Sequence, residues 1–541
     1  MTVSVNSLMG TQRDAVKEVL NKALEFMLPR LDPFWRDNIV TSQGVGSVDD
    51  LGRDYKILKI FHGSLAGVVE GAGSRADFPL YGDPTNQNLG LKMFLQGNGF
   101  STNAGTFPDP LNGPNPKPFR MGIPMRAMLG NLALTMGEMS VDALPATMRE
   151  IVAPKFTGHA RKWAHVLCNY WYLSQNNNYQ LCSVTTGQGL TVESNGGFNV
   201  VRFQPTNYAV DRFAIGHNIQ FYSADATGTT LRTTPTGVSQ FVVCRVDPLE
   251  NIVEAIAIDG QTPGAIGTNI ISTDIVVFAN SKGLSNTPFS GSGRFTGIAG
   301  INSYMKYGDP SGNADSAGNC ILGDERDTQN SINVQQHSEF KSFNRNMNGE
   351  PLTENTLRKI LRRFHAAKDP IGQSIDCLVA SDGVWLGYEA TRIGREVVDR
   401  TGRLSSVKNQ GSATDKNFAG FEFSMDGRTY TGYTSTFIEA GTMYGHKKGG
   451  GNWKRYVPPS PKGTRRMDQS EFAPIDFVAP ALTGTNSNQI PIFKIENGRN
   501  SLTEFVQVPT MLRMQLVPDQ VAGLRLTNCG EERIYSSGSA T

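Results

Sequence analysis

The sequence predicts an α+β fold that carries an inserted all-β module. Residues 155–174 and 353–368 show the three- and four-residue apolar spacing of amphipathic helices. Between about 180 and 280, short runs rich in β-branched and aromatic residues alternate with Gly, Thr and Asn. Residues 421–433 have the alternating pattern and the Asp-Gly turn of a β-hairpin. Helices and strands therefore share one scaffold, and a β-rich stretch interrupts it.

Length and composition limit the classes of protein to consider. The chain has 541 residues, which suggests three or four units at roughly 150 residues per domain. Lys and Arg number 51 against 49 Asp and Glu, and the net charge of +2 excludes a strongly basic nucleic-acid coat and an acidic tail protein. Hydrophobic residues make up 38% of the chain, so it can bury a core and bulk disorder is not expected. The charged fraction of 18% is low, which suggests that part of the surface does not face water.

The N-terminal region is predicted to contain an amphipathic helix at residues 11–28. Thr11 is a candidate cap and Leu28-Pro29 a predicted end. The predicted buried face consists of Val16, Val19, Leu20, Ala23 and Met27.

Residues 61–120 combine turn chemistry with large apolar side chains. They contain ten Gly and seven Pro, yet a disordered linker would lack the apolar residues that accompany them. A structureless loop of this length is improbable inside a compact domain. We therefore expect an extended arm or a long hairpin, packed either on its own chain or on another copy. The candidate subunit-interface residues are Phe78, Leu80, Tyr81, Leu91, Phe94, Phe100 and Phe107.

A long helix is predicted at residues 155–174, with Thr157 as a candidate cap. Its predicted apolar stripe consists of Trp163, Val166, Leu167, Tyr170 and Trp171. The strands that follow suit a small barrel or sandwich. They are predicted at 200–203, 218–222, 240–246, 251–258 and 274–278.

An α+β unit is predicted at residues 353–433. Thr353 caps a helix that Asp369-Pro370 ends. A strand at 375–380 and a helix from Gly383 to about Arg400 precede the hairpin. The predicted core positions of the first helix are Leu357, Ile360, Leu361 and Phe364. The predicted closing strands lie at 504–509 and 512–518.

The sequence predicts no catalytic residue, no cofactor and no metal site. The chain contains no H-E-x-x-H, P-loop or G-x-S-x-G motif. The seven His and six Cys are scattered, without zinc spacing or a disulfide framework. The three acids of residues 323–327 are interpreted as a solvated loop. No apolar run of about 18 residues and no leader pattern occur, so neither a membrane span nor a signal peptide is expected.

Two basic features leave alternatives open. Arg358, Lys359, Arg362 and Arg363 form like-charge i,i+4 pairs, each of which costs a few tenths of a kcal/mol. Carboxylates of a neighbouring subunit, packaged nucleic acid and a plain solvated face all remain candidates to explain them. Residues 446–466 are basic and contain Trp453 and Tyr456; a single-strand-binding surface and a surface or inter-subunit loop are the alternatives.

The order of these elements resembles the major capsid protein of tailed bacteriophages. FAIGHNIQFY through DIVVFAN (213–280) resembles the β insertion of larger members, and FTGIAGI (295–301) the segment that returns from it. IDCLVASDGVW, followed by FAGFEFSMDGRTY, resembles the core of the family's apical domain. FVQVPTMLRMQLVPDQVAGLRL (505–526) resembles its closing segment.

The resemblance implies the tailed-phage capsid fold and a division of the chain. Its parts would be an N-terminal arm (1–60), an extended projecting loop (61–125), a peripheral domain with a long spine helix (126–178), an inserted β-barrel-like subdomain (179–285), an axial α+β domain (286–440) and a C-terminal loop with strands that return to the peripheral domain (441–541).

The function implied is assembly without catalysis. Many copies would form the hexamers and pentamers of an icosahedral shell around double-stranded DNA, without sequence-specific binding and without a membrane. Portal, scaffolding and decoration proteins would be partners, and assembly in the bacterial cytoplasm would give a virion capsid. The alternatives are an encapsulin-like compartment shell, a β-rich phage tail or surface protein that binds polysaccharide, and an intracellular enzyme with an unrecognised site.

Overall fold

A computed structural model gives the protein's structure. It describes residues 19–24, 26–28, 30–32, 35, 75–80, 119–124, 127–135, 153–173, 180–185, 191–195, 198–223, 231–233, 238–257, 273–279, 300–305, 321–323, 331–334, 338–369, 373–396, 421–447, 453–456, 460–461, 470–471, 475–477, 494–497, 504–513, 515–518 and 522–531.

Helices and strands both contribute to this part of the chain. The helices are α1 (Ala153–Tyr172), α2 (Ile301–Tyr304), α3 (Glu354–Lys368) and α4 (Asp382–Glu396), with 3-10 turns at Thr206–Arg212 and Ser338–Phe340. The strands are β1 (Arg75–Leu80), β2 (Phe119–Pro124), β3 (Ala127–Thr135), β4 (Cys182–Ser183), β5 (Thr191–Asn195), β6 (Phe198–Phe203), β7 (Asn218–Tyr222), β8 (Phe241–Asp247), β9 (Ile252–Ala257), β10 (Ile275–Phe278), β11 (Ile321–Gly323), β12 (Ser331–Asn333), β13 (Phe343–Asn346), β14 (Cys377–Ala380), β15 (Phe421–Met425), β16 (Arg428–Thr434), β17 (Met443–His446), β18 (Trp453–Tyr456), β19 (Ser460–Pro461), β20 (Ser470–Glu471), β21 (Ile475–Phe477), β22 (Lys494–Asn497), β23 (Glu504–Arg513), β24 (Gln515–Pro518) and β25 (Leu524–Thr527).

Strands β1 and β2 form an antiparallel pair, with Arg75 opposite Pro124 and Leu80 opposite Phe119. Antiparallel pairing brings the two ends of residues 81–118 together, so this segment connects the strands of one hairpin. The hairpin forms a two-stranded sheet of its own, and the β11–β12 pair lies beside β2.

The N-terminal helix differs from the sequence prediction in its end and in its buried face. Residues 30 and 31 are helical, and the N–H of Asp32 donates to the carbonyl of Leu28. The predicted end at Leu28 is therefore wrong. Leu20, Leu24 and Leu28 are buried, whereas Val19, a predicted face residue, is 45% exposed.

A side chain of the N-terminal helix contacts a strand that is distant in the sequence. Asn21 donates to the carbonyl of Ile475 and accepts from its N–H, at 2.9 and 2.8 Å. The amide thereby pairs with β21 as another strand residue would. This buried pair fixes the helix against a strand more than 450 residues away.

Helix α1 packs on the sheet formed by β3, β21, β22 and β23. Strand β23 pairs with β3 along its length and with β21 and β22 on its other side. A Cβ at Gly130 of β3 would lie 2.6 Å from the Trp163 ring, so a side chain there would displace the helix. The helix starts at Ala153, and Thr157 is therefore an internal residue rather than the predicted cap.

The β module is one curved sheet in the order β4-β10-β7-β8-β9-β6-β5. An antiparallel bridge joins Val184 to Pro205, beyond the ends of β4 and β6. The N–H of Thr185 also donates to the carbonyl of Gln204. The first strand thus contacts β10 on one side and the end of β6 on the other, and the sheet curves back on itself. All five strands predicted from the sequence in this stretch are confirmed.

The interior of the β module is aromatic. Phe203 meets Phe213 and Phe221 edge to face, with centroids 5.8 and 5.4 Å apart, and Phe221 meets Phe241 at 5.2 Å. This arrangement aligns the positive ring edges with the negative ring faces.

A second sheet has the order β13-β25-β17-β14-β16-β15 and packs against α3 and α4. The helix predicted at 353–368 and its four core positions are confirmed. Strand β14 and the start of α4 also match the prediction. Strands of the segment 441–541 belong to four sheets: β17 and β25 lie in this one, β21 to β23 lie in the sheet that contains β3, and β18–β24 and β19–β20 form two separate pairs.

Helix α1, the N-terminal segment and the loop after β16 meet at a buried carboxylate. Asp32 is fully buried and accepts hydrogen bonds from the Tyr172 hydroxyl at 3.2 Å and the Ser435 hydroxyl at 2.6 Å. Nearby, the rings of His165 and His217 lie 4.9 Å apart and link α1 to the β module.

Replacing Thr353 with Ala should lower the free energy of unfolding by about 1 kcal/mol. The Thr353 hydroxyl accepts from the N–H of Thr356 at 3.2 Å, and Ala would leave that N–H without its cap. Equilibrium urea unfolding measures the change. Asn355→Ala, at an exposed position in the same turn, is the control, and an equal loss in both variants would contradict the capping role.

Candidate functional site

A charged cleft lies between α3 and the β15–β16 hairpin. Asp426 and Gly427 connect the strands and have φ angles of 53° and 78°. Two successive positive φ angles are typical of a type I′ turn, which Asp-Gly favours. The predicted Asp426-Gly427 turn is therefore confirmed, and it places the Asp426 carboxylate against α3.

An ion pair joins the hairpin to the helix at one side of the cleft. Arg362 donates from Nε and Nη2 to the two oxygens of Asp426, at 2.6 and 2.7 Å. This two-point geometry suits a guanidinium and a carboxylate. The hydrogen bonds from Arg362 lower the pKa of Asp426 below its ordinary value. Arg358 donates to Glu354 at 2.9 Å, and its Nε lies 3.9 Å from Asp426.

A second ion pair crosses the cleft with its guanidinium on the hairpin and its carboxylate at the end of the helix. Arg428, from the hairpin, donates to Asp369 at the end of α3. His365 Nδ1 lies 2.8 Å from Asp369 Oδ1 and 2.9 Å from Arg428 Nη1, and His365 Nε2 lies 2.8 Å from the Tyr430 hydroxyl. Each element thus supplies one guanidinium and one carboxylate, and the hairpin is held at two points.

The Tyr430 hydroxyl is not an activated nucleophile. Burial raises the pKa of Tyr430 to about 12, so the hydroxyl is protonated at neutral pH and can donate to His365 Nε2. An activated nucleophile would need a lowered pKa, and that of Tyr430 is raised.

The cleft is open to solvent and has a volume of about 500 Å³. Leu361 and Ala366 line it beside the paired charges. Arg362 and Arg428 are 65% and 47% exposed, whereas the side chains of their partners Asp426 and Asp369 are 33% and 28% exposed. The cleft therefore presents both signs of charge, with the guanidiniums outermost.

The sequence-predicted basic residues fall at and around this cleft. Arg362 lines it, and Arg358 pairs with Glu354 one turn earlier. Arg363 lies over the Phe343 ring, with 5.9 Å from its Cζ to the ring centroid. Lys359 makes no ion pair with a carboxylate in the ranges given above. The anionic partners of Arg358 and Arg362 in this structure belong to the same chain.

The predicted interface residues of the hairpin are mostly outside the described part of the chain. Phe78 and Leu80 belong to β1, where they stand opposite Met121 and Phe119. Tyr81, Leu91, Phe94, Phe100 and Phe107 lie outside the described residues. From the basic segment 446–466, Trp453 and Tyr456 belong to β18, which pairs with β24.

Sequence reasoning missed the residues that complete the cleft. Asp426 was expected only to form a turn and Asp369 only to end a helix, and Arg428 and Tyr430 were assigned no role. The like-charge spacing of Arg358 and Arg362 was the one signal that pointed to nearby carboxylates.

Replacing Arg362 with Ala should leave the midpoint of thermal unfolding nearly unchanged, because exposed ion pairs contribute little to stability. Thermal unfolding followed by circular dichroism measures the change. Tyr430→Phe, which removes a buried hydrogen bond to His365, is the comparison and should cost about 1 kcal/mol. A loss well above that value for Arg362→Ala would show that the pair is essential to the fold.

The described part of the chain has neither a cluster of metal ligands nor a helix suited to cross a membrane. No group of three or more His, Cys, Asp or Glu residues there is arranged to hold a metal ion. None of its helices has the length and apolarity that a bilayer span requires.

Comparisons with known proteins found likenesses in structure alone. No protein-family model and no curated protein matches the chain. A capsid chain of cyanophage A-1(L) is similar at 10% identity and a TM-score of 0.32, covering 87% of this chain and 93% of that one. A chain of Mycobacterium phage Patience is similar at 9% identity and a TM-score of 0.26, covering 92% of each chain.

A third likeness is partial. A chain of the holo-SrpI encapsulin complex from Synechococcus elongatus PCC 7942 is similar at 10% identity and a TM-score of 0.20. The match covers 36% of this chain and spans just over half, 56%, of the encapsulin chain. Likenesses at these TM-scores and identities establish neither a shared fold nor a shared function.

Proposed function

We propose that this chain is a shell-forming protein, and more specifically the major capsid protein of a tailed bacteriophage. One observation carries the proposal. Strands β1 and β2 pair with each other in a two-stranded sheet and enclose residues 81–118. A two-stranded hairpin is marginal in water, and here the β11–β12 pair of the same chain lies beside β2. The enclosed segment adds four Leu and three Phe, and in this proposal an adjacent copy supplies the surface on which they pack.

The proposal assigns roles to the other parts of the chain. Residues 61–125 form the projecting loop, 126–178 the peripheral domain, 179–285 the inserted subdomain and 286–440 the axial domain. Copies form hexamers and pentamers of an icosahedral shell, and weak contacts sum by multivalency. The net charge of +2 suits a shell that surrounds double-stranded DNA without holding it tightly. Portal, scaffolding and decoration proteins are the proposed further partners, and assembly takes place in the bacterial cytoplasm.

Purification followed by light scattering and negative-stain microscopy tests the proposal. We expect shells or capsomer-sized rings. In a variant for the same test, a two-residue Asn-Gly turn that keeps β1 and β2 paired replaces residues 81–118. It should remain folded by circular dichroism and lose assembly. A wild-type chain that stays a monomer of 58.9 kDa at high concentration would contradict the proposal.

The contents of native particles separate a virion from a compartment. Particles isolated from the cells that make this protein should contain double-stranded DNA that survives nuclease treatment. Particles that contain protein cargo and no protected DNA would support a compartment shell instead.

A further inference from the structure

We propose that the turn between β8 and β9 of one copy docks into the charged cleft of a second copy. This inference rests on the proposed function, since it requires that copies assemble. The turn supplies an exposed apolar side chain and an acid, and the cleft supplies apolar walls and outward guanidiniums. The contact joins two different surfaces, so it is heterologous, and heterologous contacts that close produce rings.

The turn presents an apolar side chain at its tip. Leu249 is 85% exposed, the most exposed of the large apolar residues that the structure describes. A single exposed Leu is not unusual on a protein surface. This one differs because the backbone beneath it is held in place by hydrogen bonds.

Side chains on both sides of the tip hold the turn. Asp247 Oδ1 accepts from the N–H groups of Leu249 and Glu250, at 3.1 and 3.2 Å. Asn251 adopts a φ of 52° and donates from its side chain to the carbonyl of Pro205 at 3.0 Å. The turn is therefore ordered before any contact, which reduces the entropy lost on binding.

Ion pairs stabilise the base of the β8–β9 hairpin and do not involve the acid at its tip, Glu250. Arg245 contacts Asp247 at 3.1 Å and Glu254 at 3.2 Å, and Arg202 contacts Glu254 at 2.8 Å. Glu250 is exposed and forms no ion pair with the described residues. Its carboxylate is thus available to a partner.

The cleft has features that complement this tip. Ala366 is exposed at its wall, beside Leu361, which is 2% exposed, and this small apolar patch suits an aliphatic side chain. Arg362 donates to Asp426 from its Nε and one Nη, and a guanidinium has five N–H donors in all. Donors therefore remain on its exposed side for a carboxylate such as that of Glu250.

The charges of the cleft favour a protein partner over nucleic acid. Asp369 and Asp426 are each about one-third exposed within it, and a phosphate backbone would bring repeated negative charge against them. A turn that carries one free carboxylate beside an apolar side chain meets the guanidiniums without that repulsion. The chain as a whole has nearly equal numbers of acids and bases, so a second copy offers such mixed surfaces.

An engineered disulfide tests the contact directly. Leu249→Cys and Ala366→Cys are combined in one chain, assembled and oxidised. We expect a ladder of linked chains on a non-reducing denaturing gel, because docked residues come within disulfide range. Each single variant should give no ladder. Leu249→Cys combined with Cys at the exposed Asn348, in a separate turn, is the matched control and should also give none.

A charge swap provides a second measurement that does not depend on sulfur geometry. Arg362→Asp with Asp426→Arg keeps the pair within the chain but reverses the charge offered to the turn. We expect the concentration needed for assembly to rise at least tenfold, and Glu250→Arg added to the swap to restore part of it. The Glu354→Arg with Arg358→Glu swap on the same helix, outside the cleft lining, should leave assembly unchanged.

The outcomes separate this inference from the proposed function. A ladder together with a swap defect that Glu250→Arg rescues supports the contact. If the Arg362/Asp426 swap variant assembles at the wild-type concentration and the cysteine pair gives no ladder, the contact is overturned. The shell function then still stands. A wild-type protein that never assembles overturns the proposed function itself.

Discussion

Replacing Trp171 with Ala should lower the free energy of unfolding by about 3–5 kcal/mol, the range for large-to-small changes of buried aromatics. Trp171 is fully buried near the end of α1 and meets Trp35 with ring centroids 6.5 Å apart. Its carbonyl lies 2.1 Å from where a Cβ at Gly300 would stand. Three separate segments thus converge on this residue, and they have little freedom to collapse into the cavity that Ala would leave.

Urea unfolding followed by circular dichroism measures this loss. Arg161→Ala is the matched control, because Arg161 is exposed on the same helix and such changes usually stay within about 0.5 kcal/mol. A loss below 1 kcal/mol for Trp171→Ala would show that the junction relaxes around the cavity, against the close packing inferred here.

Stability should fall steeply as the pH decreases from about 6.5 to 4. Burial lowers the pKa of His159, His165 and His446 to about 4, and it lowers that of His217 well below 6.5. Between these pH values the unfolded chain binds more protons than the folded chain, so acid favours unfolding. The stability is fully present above pH 6.5 and is lost toward pH 4, by up to about 3 kcal/mol for each of His159, His165 and His446 at about 1.4 kcal/mol per pKa unit.

Charged neighbours add to this acid sensitivity at three of these positions. Lys162 further lowers the pKa of His159, and Lys162 and His165 further lower that of His217. For His165, a backbone hydrogen bond involving Asp211 acts in the opposite direction, and Arg161 lowers its pKa.

Urea unfolding at pH 7, 6, 5 and 4.5 tests the pH dependence. His446→Asn keeps a donor for the Lys447 carbonyl, which His446 Nδ1 approaches at 3.3 Å, but does not titrate. The variant should lose less stability than the wild type between pH 7 and 4.5. Parallel curves for the two proteins would contradict the prediction for this residue.

The local elements of this fold could be predicted where one pattern decides them. Leu357, Ile360, Leu361 and Phe364 mark one face of α3, and Thr353 marks its start. The start of α1 was missed because Thr157 resembled a cap, while Pro154, which suits a first helical turn, was the better signal. At Leu28-Pro29 the pattern predicted an end, but burial of Leu28 and Asp32 keeps the following residues in the helix.

The pairing of distant strands could not be predicted. Alternating residues show which face of a strand is buried, but not which strand lies beside it. The neighbours of β3 and β25 are therefore set by tertiary packing. The same holds for the cleft: the spacing of Arg358 and Arg362 indicated a carboxylate, but Asp426 lies 64 positions from Arg362 and only the folded sheet brings them together.

The position of β25 has a consequence for when this protein can fold. Strand β25 fills the space between β13 and β17, pairing parallel with one and antiparallel with the other. During synthesis, both of those neighbours leave the ribosome well before residues 524–527. The sheet consequently stays incomplete between β13 and β17 until residues 524–527 have been synthesised. Folding of this sheet is thereby delayed until β25 has been made, as expected where strands distant in the sequence must pair.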